Sequence, residues 1–78
     1  MAELGNITFG SWLKMRRRAL DVTQKELARR VECAEITIRK IEANHLRPSK
    51  GLARALLKKL NVPLAEYEAL IQLARRRA

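Results

Sequence analysis

Between Thr23 and Glu42 the sequence TQKELARRVECAEITIRKIE carries apolar residues at a spacing that fits a pair of short helices joined by a tight turn. In the first half, Leu27, Ala28 and Val31 fall on one side, and Lys25, Arg29 and Arg30 fall largely on the others. Thr23 followed by Glu26 fits a capping box. The hydroxyl accepts from a free backbone N–H and the carboxylate reaches back to the cap. The second half predicts a helix beginning near Ala34 or Glu35. At about 100° per residue, Ala34, Thr37, Ile38 and Ile41 share one arc, and Glu35, Ile36, Arg39, Lys40 and Ala43 share the opposite one. The first arc is expected to be buried and the second presented.

The presented arc has a chemical peculiarity. Ile36 stands among charged neighbours, where a merely solvated face has no use for it. Its apolar side chain suits a thymine methyl group. Arg39 suits the acceptor pair of guanine, and Glu35 suits the amino group of cytosine N4. A helix that grips its own core on one side and carries such a face on the other fits a DNA major groove. Glu35, Ile36, Arg39 and Lys40 are therefore the expected base-reading residues.

The run T-Q-x-x-L-A-x-x-V, then T-I-x-x-I-E, then R-P-S resembles the Cro/lambda-repressor (XRE) type helix-turn-helix domain. The matching positions are Thr23, Gln24, Leu27, Ala28, Val31, Thr37, Ile38, Ile41, Glu42, Arg47, Pro48 and Ser49. Phe9, Gly10, Trp12 and Leu13 resemble the opening helix of a branch often found at the N-terminus of larger bacterial regulators. The resemblance implies an all-α, compact, lambda-repressor-like bundle of about five helices. It implies that Gln24 contacts a phosphate and buttresses the reading helix, and that Arg17 pairs with Glu42. Three positions depart from the family pattern. Glu32 and Asn44 stand where glycine is usual, and Ala34 stands where a capping serine is common. Glutamate adopts positive φ less cheaply than glycine, asparagine tolerates it better, and alanine offers no capping acceptor. Natural drift or redesign of the reading surface would each produce these changes.

The remaining elements follow from local signals. A first helix is expected from about Phe9 to Leu20 with Thr8 as its cap. Ser49 caps a helix over Lys50–Leu60 with core positions Leu52, Ala53, Leu56, Leu57 and Leu60, and Asn61 stops it. Pro63 suits the first turn of a last helix whose apolar face is Leu64, Tyr67, Leu70, Ile71 and Ala74. The paired helices span about residues 23–43, residues 1–6 form a loose arm, and residues 1–78 read as one domain.

With 47% hydrophobic residues among 78, one small core can form. The net charge of +9 points to a polyanionic partner. The lone Cys33 cannot form an internal disulfide, and no apolar run is long enough for a secretory leader or a membrane span. A cytoplasmic protein with an inert, buried Cys33 thiol is expected. Aromatic residues are scarce and Trp12 has core spacing, which disfavours RNA stacking. His45, Cys33, Ser11 and Ser49 show no nucleophile–base spacing. No clustered metal ligands and no phosphate-cradling glycine loop occur, so no enzyme activity, metal or cofactor is expected.

The basic run of the first helix (Lys14, Arg16, Arg18) reads as a solvated face slightly ahead of a direct contact. The terminal Arg75, Arg76 and Arg77 suit a helix dipole, a continuing chain or general DNA attraction. The leading expectation is sequence-specific binding of double-stranded DNA as a transcriptional regulator or its DNA-binding part. Thr23, Gln24, Asn44, His45 and Arg47 are expected at phosphates, with a second copy or an attached effector module supplying further affinity. The alternative is a protein-interaction or antitoxin-like module that uses the last helix as its partner surface.

Overall fold

The computed structural model describes residues 7–76. The expected loose arm at residues 1–6, and Arg77, lie outside the described residues. Five α-helices occur: α1 (Phe9–Ala19), α2 (Gln24–Arg30), α3 (Glu35–Glu42), α4 (Lys50–Lys59) and α5 (Tyr67–Arg75). A single 3-10 turn (Leu64–Glu66) leads into α5.

α1, α2 and α4 begin where side chains can take the free N–H groups. Thr8 Oγ1 accepts from Ser11 N at 3.1 Å, and Ser49 Oγ accepts from Leu52 N at 3.1 Å. Thr23 and Glu26 form the full capping box, with 3.0 Å in both directions. The Thr23 backbone N–H that donates to its carboxylate, with the Thr23 hydroxyl beside it, holds the Glu26 carboxyl below its ordinary pKa. α3 begins at Ala34 with no side-chain cap.

Each of α1 to α4 ends in the same motif. Asp21 (φ 56°), Glu32 (58°), Asn44 (64°) and Asn61 (57°) take the left-handed conformation just past the helix. The following N–H then reaches back into the last turn: Val22 to Arg17 O at 3.1 Å, Cys33 to Ala28 O at 2.9 Å, His45 to Lys40 O at 2.8 Å, and Val62 to Leu57 O at 3.1 Å. This pairing satisfies carbonyls that a helix end leaves open. Among the described residues none of these positions is a glycine.

Leu13, Leu27, Ile38, Ile41, Leu56, Leu57 and Leu60 are the fully buried centre, so α1 to α4 and the end of α4 share one core. Leu70, Leu73 and Ala74 close it from α5. Trp12 is half-buried against this core, its ring 5.5 Å from that of Phe9. Three expectations need correction. Leu64 is 77% exposed. It lies in the 3-10 turn, whose tighter winding takes it out of phase with the apolar face of α5. Leu73, not expected in the core, is buried there instead. Ala34 is exposed, because it precedes α3 in extended backbone and does not follow the helical arc.

One close approach fixes the angle of α1 on α3. A Cβ on Gly10 would collide with the carbonyls of Ile41 and Glu42 and with Asn44 Oδ1. The bare glycine lets the start of α1 dock on the end of α3, and Gly10 N donates to Asn44 Oδ1 at 3.3 Å.

Candidate nucleic-acid interface

α3 presents its polar arc away from the core. Ile38, Ile41 and Glu42 are buried, while Ile36, Arg39 and Lys40 are exposed and Glu35 is half-exposed. Ile36 is 51% exposed between charged side chains, less than Met15 at 59% or Leu64 at 77%. Arg39 Nη2 reaches back one turn to Glu35 Oε2 at 3.5 Å. That distance, with both groups well exposed, describes a loose i,i+4 pair that a better partner can open.

The inner side of α3 is held by ions. Glu42 is buried, and its carboxylate takes three bonds. Arg17 Nε donates to Oε2 at 2.7 Å, Arg17 Nη2 to Oε1 at 3.1 Å, and Gln24 Nε2 to Oε1 at 3.0 Å. Arg17 Nη1 also donates to Val22 O at 2.9 Å. The side chains of Arg17 and Glu42 are only 11% and 4% exposed. A desolvated carboxylate is tolerable here because each oxygen is bonded and the guanidinium pairs bidentately. One acid thus ties α1, the start of α2 and the end of α3 together.

The expected phosphate-contacting residues are spread over two places. Thr23 and Gln24 stand at the start of α2. Thr23 Oγ1 serves the capping box, and the Gln24 amide nitrogen is committed to Glu42. Asn44, His45 and Arg47 are exposed in the α3–α4 connection. Asn44 Oδ1 is the acceptor for Gly10, and Arg47 Nη1 donates to the Arg75 carbonyl at 2.9 Å. Arg75 returns the contact through Nη1 to Pro48 O at 3.0 Å. Arg47 and Arg75 therefore clasp the connection to the end of α5, which sequence spacing does not reveal.

Arg16, read from sequence as part of a solvated face, is instead half-buried. It donates through Nε to Leu60 O and through Nη2 to Asn61 O, both at 3.0 Å. The open carbonyls at the end of α4 attract a cation, but the pairing crosses 44 residues and leaves no local signal. Cys33 is half-buried in the turn between α2 and α3, and burial pushes its thiol pKa up.

A second surface bears on the alternative reading. An open groove of about 400 Å³ lies between Trp12 of α1, Ala65 of the 3-10 turn, Ala69, Leu70 and Leu73 of α5, and Arg76 just past its end. Among the described residues no group of three or more His, Cys, Asp or Glu is placed to share a metal ion, and no helix is long and apolar enough to cross a membrane.

A family model described as helix-turn-helix matches residues 13–67. That span runs from the middle of α1 to the start of α5 and includes α2, the turn and α3. No curated protein and no solved structure gives a significant match to the chain.

Proposed function

Because this chain belongs to the Cro/C1-type helix-turn-helix family, a family of DNA-binding domains, we propose that it binds double-stranded DNA with sequence preference through α3. It acts as a transcriptional regulator or as the DNA-binding part of one, in a single domain over residues 1–78. The observation that carries this reading is the two-sided α3. Its outer face offers Glu35, Ile36, Arg39 and Lys40, and its inner face is locked by the Arg17–Glu42–Gln24 network. A reading helix must be rigid, since base contacts need side chains delivered at fixed depth and register.

In this reading Arg39 addresses guanine, Lys40 faces base edges, Glu35 accepts from cytosine N4, and Ile36 packs on a thymine methyl. Thr23, Gln24, Asn44, His45 and Arg47 approach the flanking phosphates. Free donors remain for this on the Arg47 guanidinium and the Asn44 amide after their internal bonds. A single small module covers limited DNA surface, so tight binding calls for a second copy or an attached module.

The test is selection from randomised duplexes at low salt, followed by affinity for the selected and for scrambled duplexes across a salt series. Enrichment of one motif together with a steep salt slope supports the reading. The groove beside Trp12 favours a second reading, a protein-binding module. Absence of duplex binding at low salt would favour it and sink the first.

A further inference from the structure

We infer that the first turn of α3 recognises a 5-methylcytosine beside a guanine, so that the domain distinguishes methylated from unmethylated DNA. The inference rests on the DNA-binding reading above and concerns only Glu35, Ile36 and Arg39.

Three different chemistries stand on the outer side of the first turns of α3. The 3.5 Å contact from Arg39 Nη2 to Glu35 Oε2 draws the guanidinium back along the helix to the turn that carries Glu35 and Ile36. Side chains at this spacing lie about 5–6 Å apart at Cβ, between one and two steps of about 3.4 Å, so long side chains that lean together can address neighbouring base pairs. Ile36 is β-branched, stiff and 51% exposed, so it offers a fixed apolar knob and not a mobile tail.

Each group then demands a different feature in the major groove. The guanidinium wants two acceptors, which guanine N7 and O6 supply. The carboxylate wants a donor and is repelled by acceptors. The isoleucine wants a methyl group. Cytosine supplies the N4 donor and no methyl. Thymine supplies the methyl, but its O4 acceptor stands beside it, against the carboxylate. 5-Methylcytosine carries the amino donor and the methyl on adjacent ring atoms, and its partner or neighbouring guanine carries the acceptors. Among the four pyrimidines C, U, T and 5-methylcytosine, it alone satisfies Glu35 and Ile36 together.

The test uses those four pyrimidines as a factorial pair of questions. Random-duplex selection first yields the preferred site. Its pyrimidine next to guanine is then made C, 5-methylcytosine, U or T, and each duplex is titrated against the intact chain, Ile36→Ala and Glu35→Gln. All three proteins are checked for folding by circular dichroism. The intact chain should bind 5-methylcytosine about fourfold more tightly than cytosine, the worth of one buried methyl. T should exceed U by a similar factor. Ile36→Ala should abolish both methyl effects. Glu35→Gln should close the gap between 5-methylcytosine and thymine, because its amide can donate as well as accept.

Equal affinity for C and 5-methylcytosine overturns the inference, as does a methyl effect that survives Ile36→Ala. A selected site with no pyrimidine–guanine step overturns it too. If no duplex is enriched at all, the DNA-binding reading itself fails, a result distinct from a preferred site that is blind to the methyl group.

Discussion

Glu42 shows how one residue can set the posture of a helix. Its carboxylate is buried and receives Arg17 and Gln24, so losing either donor leaves charge in a poor solvent. Removing one partner of such a pair costs about 3–5 kcal/mol when fully buried. Gln24 remains as a donor, which moderates the loss. Arg17→Met should lower stability by about 3 kcal/mol, read as a shift of the urea midpoint, with binding reduced only through the folded fraction. An unmoved midpoint would remove the strut from the account. Glu32 gives the opposite opportunity. An L-residue at φ 58° carries a strain of about 1–2 kcal/mol; glycine removes it but loses about 0.5–1 kcal/mol through its greater unfolded-state freedom. Glu32→Gly should therefore stabilise by about 0.5–1 kcal/mol in thermal melts. Asp21, Asn44 and Asn61 tolerate the same conformation better and should gain less.

Among elements, the docking of α1 onto α3 is the most constrained contact. Gly10 meets the backbone carbonyls of Ile41 and Glu42, which cannot rotate aside as a side chain would. Gly10→Ala should cost about 1–3 kcal/mol, the usual range for overpacking, and chemical denaturation would measure it. If the variant kept wild-type stability, α1 would be free to slide and the fixed crossing would be wrong. The turn of the α2–α3 pair was readable in advance because its punctuation is local: a capping box at Thr23 and an apolar period through Ile38 and Ile41. The end of α5 was not. The Arg47–Arg75 clasp joins groups 28 residues apart, and nothing in either neighbourhood announces the other.

Across the molecule, the proposed function divides the work: the excess of positive charge would attract any duplex, and α3 would discriminate among sequences. Two substitutions separate these contributions. Arg39→Ala should narrow the affinity gap between selected and scrambled duplexes by about 1–3 kcal/mol while changing binding to scrambled DNA little. Equal losses on both duplexes would make Arg39 a backbone contact. Arg47→Ala should weaken both duplexes alike and shrink the slope of log affinity against log salt by about 0.9, one phosphate's worth. An unchanged slope would assign Arg47 to the α5 clasp alone.

Local signals in the chain fix most helix ends and the inward side of α1 to α4, but not α5, where the 3-10 turn puts Leu64 outside and Leu73 within. Caps and apolar period act within a few residues, so Thr8, Thr23 and Ser49 begin helices, and Asn44 and Asn61 end them. Periodicity also set the outward arc of α3, with Ile36 on it and Ile38 and Ile41 beneath. Folding alone assigned the basic side chains that neither apolar period nor resemblance placed. Arg16, Arg17 and Arg18 are neighbours of one kind in the chain. Yet Arg16 closes α4 and Arg18 is exposed. A guanidinium's role depends on the carbonyls and carboxylates that folding brings within about 3 Å of it. Those partners lie in other elements, so composition and spacing carry no record of them.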